Sequence, residues 1–200
     1  MEKIIGAISF KSGVYAEAKK DAGFNSTAWL IVATSAMLSA LGNGAGSARL
    51  SFFGWLMGSL FAAGFGVLGF ALAVLVIQWV GKTVFNTTAG FNELVRPLGL
   101  ARIWHVVGVL GMLALISPSL RCVTGIFNVA AAILGFIAWL WAVREAMGLD
   151  WAQAVAVVIL GMVVVLVVSF LSTSLLGLLG FLGATFVGNT FGNISSALRG

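Results

Sequence analysis

The fold is decided by residues 151–170, WAQAVAVVILGMVVVLVVSF, which contain no charged side chain. A helix needs about 20 apolar residues to cross the ~30 Å hydrocarbon core of a membrane, and this stretch meets that requirement. Four further charge-free runs occupy residues 22–48, 50–81, 103–120 and 122–143. The sequence therefore predicts an all-α, polytopic transmembrane helical bundle with five spans.

The composition agrees with a membrane location and bears on the partners. Hydrophobic residues make up 60% of the chain, charged residues 8%, and the mean hydropathy is +1.11. Soluble domains carry about 25% charged residues, so no water-facing surface of ordinary size is expected. The net charge of +5 is typical of basic residues that face a membrane. The expected partner is therefore the lipid bilayer, and nucleic acid is not expected.

The 200 residues are expected to form a single integral-membrane domain with three parts. Residues 1–21 mix lysines with isoleucines and are predicted to form an interfacial amphipathic helix, divided at Gly13. The five-span core is predicted at residues 24–170. Residues 171–200 are predicted to form an extra apolar, glycine-rich C-terminal segment.

The core and the C-terminal segment can be divided further by their polar residues. The uncharged run that begins at Trp151 continues to residue 198, which at ~1.5 Å per residue exceeds twice the bilayer thickness. A turn is therefore expected in SFLSTS, residues 169–174, after which residues 171–187 could cross back, re-enter or lie flat. Spans are predicted near residues 24–41, 52–80, 103–116, 123–143 and 151–170, with a polar connector at 81–102.

The basic residues predict the orientation. With five spans and a cytoplasmic N-terminus, three basic residues lie outside: Arg49, Arg121 and Arg199. Eight lie inside, an excess that follows the positive-inside rule. These eight are Lys3, Lys11, Lys19, Lys20, Lys82, Arg96, Arg102 and Arg144.

Two residues are candidate intramembrane polar groups. His105 is the one histidine, and it could serve as a proton relay, a pH sensor or an axial ligand. An interfacial histidine hydrogen-bonded near the headgroups is the simpler interpretation. Asn128 lies deep in the fourth span and is expected to make an interhelical hydrogen bond.

The sequence predicts no catalytic residues, metal site or cofactor. One histidine with its acidic residues in loops cannot form a Ser–His–acid triad. The single cysteine, Cys122, cannot form an internal disulfide or a cysteine metal site. A non-enzymatic protein is therefore expected.

Glycines supply candidate helix-packing positions. Gly54 and Gly58 have the spacing of close helix contacts, and Gly177, Gly180 and Gly183 recur at every third residue. The first pair is expected inside the bundle. The C-terminal series could equally contact another protein or a second copy of the chain.

The stretch AVREAMGLDWAQA, residues 142–154, concentrates charge between two spans. Arg144 is expected to anchor the fourth span at the inner leaflet, Gly148 to end its helix, and Asp150 to cap the next helix. Glu145 has no role in that scheme.

The charged residues of the two inner loops are candidates for an interaction motif. Arg144 and Glu145 are predicted to pair with Glu93 and Arg96 of the other inner loop, closing the cytoplasmic end of the bundle.

Three stretches together resemble the YIP family of multipass membrane proteins, most closely its prokaryotic branch. They are VYAE at residues 14–17 followed by Asp21, GFNELVRPLGLA at 90–101, which contains Gly99, and WLWAVREAMGLDWAQAVAVV at 139–158. The resemblance implies a five-span bundle with a cytoplasmic N-terminus, in a prokaryotic cytoplasmic membrane. Eukaryotic members act in vesicle traffic and engage Rab-type GTPases.

Three functions remain open at the level of sequence. The first is a scaffold or accessory subunit that binds other membrane proteins or forms a homo-oligomer. The second is a small-solute or ion transporter or channel, which would need polar groups along a path. The third is a subunit of a pigment or quinone complex that uses His105 and the seven tryptophans.

Overall fold

The protein is an all-α bundle in its computed structural model, as the sequence predicts. The structure describes residues 2–11, 13–45, 51–117 and 119–197, with side chains described between residues 3 and 178 of these ranges. This part of the chain contains helices and no strand. The elements are α1 (Glu2–Ile8), α2 (Val14–Lys20), α3 (Phe24–Gly44), α4 (Phe52–Phe85), α5 (Phe91–Ala101), a 3₁₀ segment (Arg102–Leu115), α6 (Leu120–Met147) and α7 (Trp151–Ala197).

Five helices are long and apolar enough to cross a membrane, which confirms the predicted number of spans. Large apolar side chains on their outer faces are exposed, among them Ile126 at 72% and Phe170 at 72%. An apolar surface of this extent is unfavourable in contact with water and favourable in contact with lipid tails. The protein is therefore embedded in a membrane, with its spans at Phe24–Gly44, Phe52–Phe85, Phe91–Leu115, Leu120–Met147 and Trp151–Leu178.

The third span begins earlier than predicted, because the polar connector at residues 81–102 is largely helical. Helix α4 continues to Phe85, and α5 begins at Phe91. Along α5 the apolar side chains of Leu94 and Leu98 are fully buried, so this amphipathic helix packs into the bundle. Glu93 accepts a hydrogen bond from the Gly90 backbone N–H at 3.0 Å. This bond stabilises the negative charge of the Glu93 carboxylate at the start of α5.

The 3₁₀ segment is unusually long, with 14 residues, whereas most 3₁₀ helices extend for only about 3–4 residues. Three residues per turn align every third side chain on one face. That face consists of Arg102, His105, Gly108, Gly111 and Ala114. The glycines bring its backbone directly against α3.

Helix α7 does not turn where a turn was predicted. It is one helix of 47 residues, Trp151–Ala197, about 70 Å long at ~1.5 Å per residue. The predicted boundary at residue 170 lies inside it, so residues 171–187 continue in the same direction. The Thr173 hydroxyl donates to the Ser169 carbonyl at 2.9 Å, and a hydroxyl that bonds within its own helix does not break it.

The N-terminal segment forms two short helices separated at Gly13, which has a left-handed φ of 82°. The division at Gly13 is thereby confirmed. Helices α1 and α2 pack on the bundle, since Ala7, Tyr15 and Ala18 belong to its hydrophobic core. We call this side the charged end; it contains α1, α2, residues 86–90 and residues 148–150.

Candidate functional site

A cavity of about 640 Å³ lies between α3, α4, the 3₁₀ segment and α7. We call it the polar cavity because hydroxyl-bearing and basic side chains occur in its otherwise apolar lining. It extends from Arg102, near the middle of the third span, to Trp55 near the start of α4, on the side away from the charged end. Its hydroxyl groups come from three helices: Ser35, Ser39, Ser59, Ser169, Ser172 and Thr173. The polar cluster in α7 therefore faces a cavity instead of forming a turn.

Arg102 is the one charged residue that lines this cavity. Its side chain is only 6% exposed, and its Nη2 donates to the Gly66 carbonyl at 3.4 Å near the middle of α4. The guanidinium lies 5.6 Å from the centre of the Phe70 ring, a cation–π distance. An arginine at mid-membrane costs about 2.5–3.5 kcal/mol on insertion scales, so its position calls for a functional explanation.

The prediction that placed Arg102 in a cytoplasmic connector is wrong. It assumed that the third span starts after this residue, whereas α5 precedes it within the same span. The sequence does contain the signal that would have located it. Arg102, His105, Gly108 and Gly111 recur at every third position, which is the period of a 3₁₀ helix.

His105 also lines the polar cavity, so the simpler interpretation as an interfacial histidine is wrong. One 3₁₀ turn separates it from Arg102, and it lies near the middle of the span Phe91–Leu115. Its Nδ1 is buried without a hydrogen-bond partner in the described part of the chain. The ring packs closely on α6, where a Cβ at Gly135 would lie 3.3 Å from its Cε1.

Asn128 does not make the predicted interhelical hydrogen bond. Its side chain on α6 is partly exposed, and no hydrogen bond joins it to another helix among the described residues. The neighbouring Ile126 and Phe127 are exposed, so this part of α6 faces outward.

The predicted packing glycines have other surroundings. Gly54 and Gly58 line the polar cavity, and a Cβ added at Gly58 would meet no described atom within 4 Å. The same holds for Gly177, while Gly180 and Gly183 lie outside the residues whose side-chain surroundings are described. In contrast, Gly99 is a close contact, because its Cβ would lie 3.1 Å from Ala28 Cβ on α3.

At the charged end, α2 is held at both of its ends by the bundle. The Glu145 carboxylate accepts hydrogen bonds from the backbone N–H groups of Gly13 at 3.2 Å and Ala16 at 3.1 Å. At the other end, Arg96 Nη1 donates to the Lys19 carbonyl at 2.7 Å. The negative group meets the free N–H groups of the helix start and the positive group meets the free carbonyls of its end.

These contacts replace the predicted ion pairs of Arg144 and Glu145 with Glu93 and Arg96, which do not form among the described side chains. Arg144 lies over the Trp151 ring, 4.5 Å from its centre. Glu145 and Arg96 bind backbone groups at the two ends of α2 instead of binding oppositely charged side chains. No pattern in the sequence indicates that α2 lies there.

Two predicted caps are confirmed in the same region. Gly148 ends α6 with a left-handed φ of 69°, and its N–H donates to the Arg144 carbonyl at 2.9 Å. Asp150 Oδ1 accepts from the Gln153 N–H at 2.9 Å and caps α7.

Tyr15 provides a pH-dependent test of the docking of α2. Its side chain is 1% exposed, and burial, followed by the charge of Glu145, raises the pKa of its hydroxyl above the usual value near 10. The folded state therefore holds this proton more tightly than the unfolded state. The resulting stability is complete below about pH 10 and is lost as the pH rises further.

Because Tyr15 is the one tyrosine of the chain, tyrosinate absorbance reports its ionisation directly. We expect ionisation in the folded protein to begin at a higher pH than in protein unfolded by denaturant. We expect Tyr15→Phe to fold normally, since the buried hydroxyl has no partner in the described part of the chain, and to reduce the alkaline loss of stability. Identical titration curves for the folded and unfolded protein would contradict this assignment.

Comparisons with models of known protein families, with curated proteins and with solved structures gave no match. The resemblance to the YIP family stays a prediction of the sequence. Among the described residues, no group of three or more His, Cys, Asp or Glu side chains could hold a metal ion.

Proposed function

We propose that the protein binds a small polar solute or ion in the polar cavity and carries it across the membrane. The observation that carries this proposal is the cavity itself: about 640 Å³, lined by hydroxyls, a histidine and an arginine at mid-span. Pockets for small molecules commonly have volumes of ~300–1,000 Å³. Ionisable residues in the membrane interior characteristically mark substrate or ion pathways.

The packing between the cavity and the charged end favours a carrier over an open pore. Phe70, Val74 and Ile77 follow the cavity along α4 and are all 0% exposed. The path is therefore closed at that level, and a solute could pass only after the helices rearrange. Substrate sites near the bilayer midplane, reached from one side at a time, are typical of secondary transporters.

The proposed orientation keeps the N-terminus in the cytoplasm of a prokaryotic cell, with the protein in its cytoplasmic membrane. Arg102 now belongs to the membrane interior, so the inner side retains seven of the eight basic residues first assigned to it. This is still an excess over Arg49, Arg121 and Arg199. The cavity would then lie in the outer half of the membrane.

A pair of glycines on α4 gives a matched test of transport. Leucine at Gly58 is expected to fill the polar cavity without disturbing the bundle, since a Cβ there meets no described atom within 4 Å. Gly64 is equally open but exposed on the outer face, so Gly64→Leu is the control. Proteoliposomes are tested for uptake of radiolabelled chloride, phosphate, glycine and glucose, and we expect the wild type to take up at least one of them. The uptake rate of that solute should fall at least about fivefold in Gly58→Leu and stay unchanged in Gly64→Leu.

Equal uptake by the two variants, or uptake no faster than that of protein-free liposomes for every probe, would count against transport. Both variants should first be shown to have the same thermal unfolding midpoint in detergent. A difference in uptake then reports on the cavity and not on folding.

A scaffold or accessory subunit is the second proposal, favoured by one observation on α7. Gly177 has an open position beside it, and the helix continues to Ala197, well beyond the residues needed to cross the membrane. The resemblance to the YIP family supports this function. Co-purification of a stoichiometric membrane-protein partner in mild detergent would raise it above transport.

A further inference from the structure

The guanidinium of Arg102 has more hydrogen-bond donors than the bundle satisfies. An arginine side chain carries five N–H groups, and Nη2 has the Gly66 carbonyl as its partner at 3.4 Å. The Nε atom is buried without an acceptor in the described part of the chain. A buried charged donor without an acceptor is strongly unfavourable, so these groups are suited to an acceptor from outside the chain.

The charge of Arg102 is likewise uncompensated by the chain. Among the described side chains the one ion pair is Lys3–Asp21, and none of the polar cavity's lining residues is acidic. Arginine keeps its positive charge in proteins, and an intramembrane charge is normally paired. The cavity therefore presents a fixed positive charge to whatever enters it.

Hydroxyl donors surround the same space. Ser39, Ser169 and Ser172 line the polar cavity, and their hydroxyl hydrogens are not donated to any atom in the described part of the chain; Ser39 Oγ instead accepts from Asn43 Nδ2 at 3.4 Å. Ser172 is 6% exposed. Hydroxyls that are free to donate, in the same cavity as a guanidinium, form a donor set suited to oxygen acceptors.

We infer that the polar cavity binds an oxyanion, a phosphate or carboxylate group, on the guanidinium of Arg102, with Ser39, Ser169 and Ser172 donating to its oxygens. The oxyanion is the substrate class of the proposed carrier, so this inference rests on the proposed transport function. The planar fork of arginine matches the paired oxygens of such groups better than a monatomic anion.

The size and the apolar part of the lining indicate that the oxyanion is carried on a larger molecule. Beside the hydroxyls, the cavity is lined by Phe65, Val165 and Leu176, which can contact a carbon skeleton. A soluble phosphate or carboxylate compound and a phospholipid headgroup share this chemistry. The experiment below decides which of these two molecules carries the bound oxyanion.

The test compares two arginines in the full-length protein. Arg102→Gln removes the charge in the cavity, while Arg121→Gln removes the same charge from an exposed position at the start of α6. Each protein is placed in phosphatidylcholine nanodiscs, and its thermal unfolding midpoint is measured against inorganic phosphate at constant ionic strength. A second set of nanodiscs contains phosphatidylglycerol, and the lipid retained after extraction is measured by native mass spectrometry.

We expect the wild type and Arg121→Gln to respond alike, with a saturable rise in the midpoint or with retained phosphatidylglycerol. In Arg102→Gln the apparent affinity should fall at least about tenfold, as expected when a charged hydrogen-bond partner is removed. A phosphate response identifies a soluble oxyanion, and retained phosphatidylglycerol identifies a lipid headgroup. If neither probe separates Arg102→Gln from Arg121→Gln, the inference is overturned and Arg102 only packs on Phe70 and Gly66.

A second variant keeps the inference testable if Arg102→Gln does not fold. The double substitution Ser39→Ala with Ser172→Ala retains the charge and removes two hydroxyl donors, and it should weaken the response about threefold to tenfold. An unchanged response in the double variant would overturn the inference. Failure of transport is distinguishable from failure of the oxyanion inference. Arg102-dependent binding without uptake refutes the carrier alone, while uptake of chloride or glucose without such binding refutes the oxyanion alone.

Discussion

Replacing Gly111 by leucine is expected to abolish stable folding of the bundle. A Cβ at Gly111 would lie 2.5 Å from the carbonyl oxygen and 2.7 Å from the carbonyl carbon of Gly42 on α3. Both are backbone atoms, so no side chain can move aside. Overpacking of a core costs typically 1–3 kcal/mol, and we expect about 3 kcal/mol or more here because two backbones must separate.

The contact is reciprocal, which is why the expected effect is large. A Cβ at Gly42 would lie 1.9 Å from the Gly108 carbonyl oxygen, so the three glycines form one backbone-to-backbone contact between α3 and the 3₁₀ segment. This contact also fixes the face that carries Arg102 and His105. Separation of the two helices would therefore displace the wall of the polar cavity as well.

The measurement is thermal unfolding of the purified protein in detergent, supported by the yield of monodisperse protein. Gly125→Leu on α6 is the matched control, since a Cβ there meets no described atom within 4 Å. Gly111→Ala should lie between the wild type and the leucine variant. Equal unfolding midpoints for Gly111→Leu and Gly125→Leu would show that α3 and the 3₁₀ segment are not packed this closely.

Replacing Glu145 by alanine is expected to release α2 from the charged end. The substitution removes two hydrogen bonds to a charged acceptor, from Gly13 and Ala16, each worth about 1.5–3 kcal/mol. The loss of even one such bond corresponds to about tenfold in a local opening equilibrium, since ~1.4 kcal/mol is a factor of ten. The remaining part of the bundle should keep its helices.

Hydrogen exchange measured by mass spectrometry is the suitable observable, because it reports local opening. We expect the amides of Val14–Lys20 to exchange at least about tenfold faster in Glu145→Ala, while those of α6 are unaffected. Glu93→Ala is the control: it removes the same charge, but this side chain binds the backbone of Gly90, which precedes α5. Unchanged exchange of α2 in Glu145→Ala would refute the proposed role of Glu145.

The caps between α6 and α7 show what could be predicted residue by residue. Gly148 and Asp150 act on backbone groups within a few residues of themselves, so short sequence patterns contain the relevant information. Glu145 lies beside them, yet its partners are more than a hundred residues away along the chain. No local pattern indicates such a contact.

The two errors in the spans have a common origin. A hydropathy pattern treats a charged or hydroxyl side chain as a sign of contact with water. It therefore predicts a connector at residues 81–102 and a turn at residues 169–174. In the structure, Glu93 and Arg96 bind backbone groups, and Ser169 and Ser172 face the polar cavity. Their environment depends on the helices around them and not on their own polarity.

The sequence by itself determined that this protein is a five-span helical membrane protein with its basic residues concentrated at one end. The reason is that each apolar side chain adds to the favourable free energy of transfer into lipid, so a long apolar run is enough to predict a span. The tertiary structure alone decided that Arg102 and His105 enter the membrane interior, that α2 is held by Glu145 and Arg96, and that the serines of α7 line a cavity. The physical reason is that a buried polar group depends on partners brought to it by other helices.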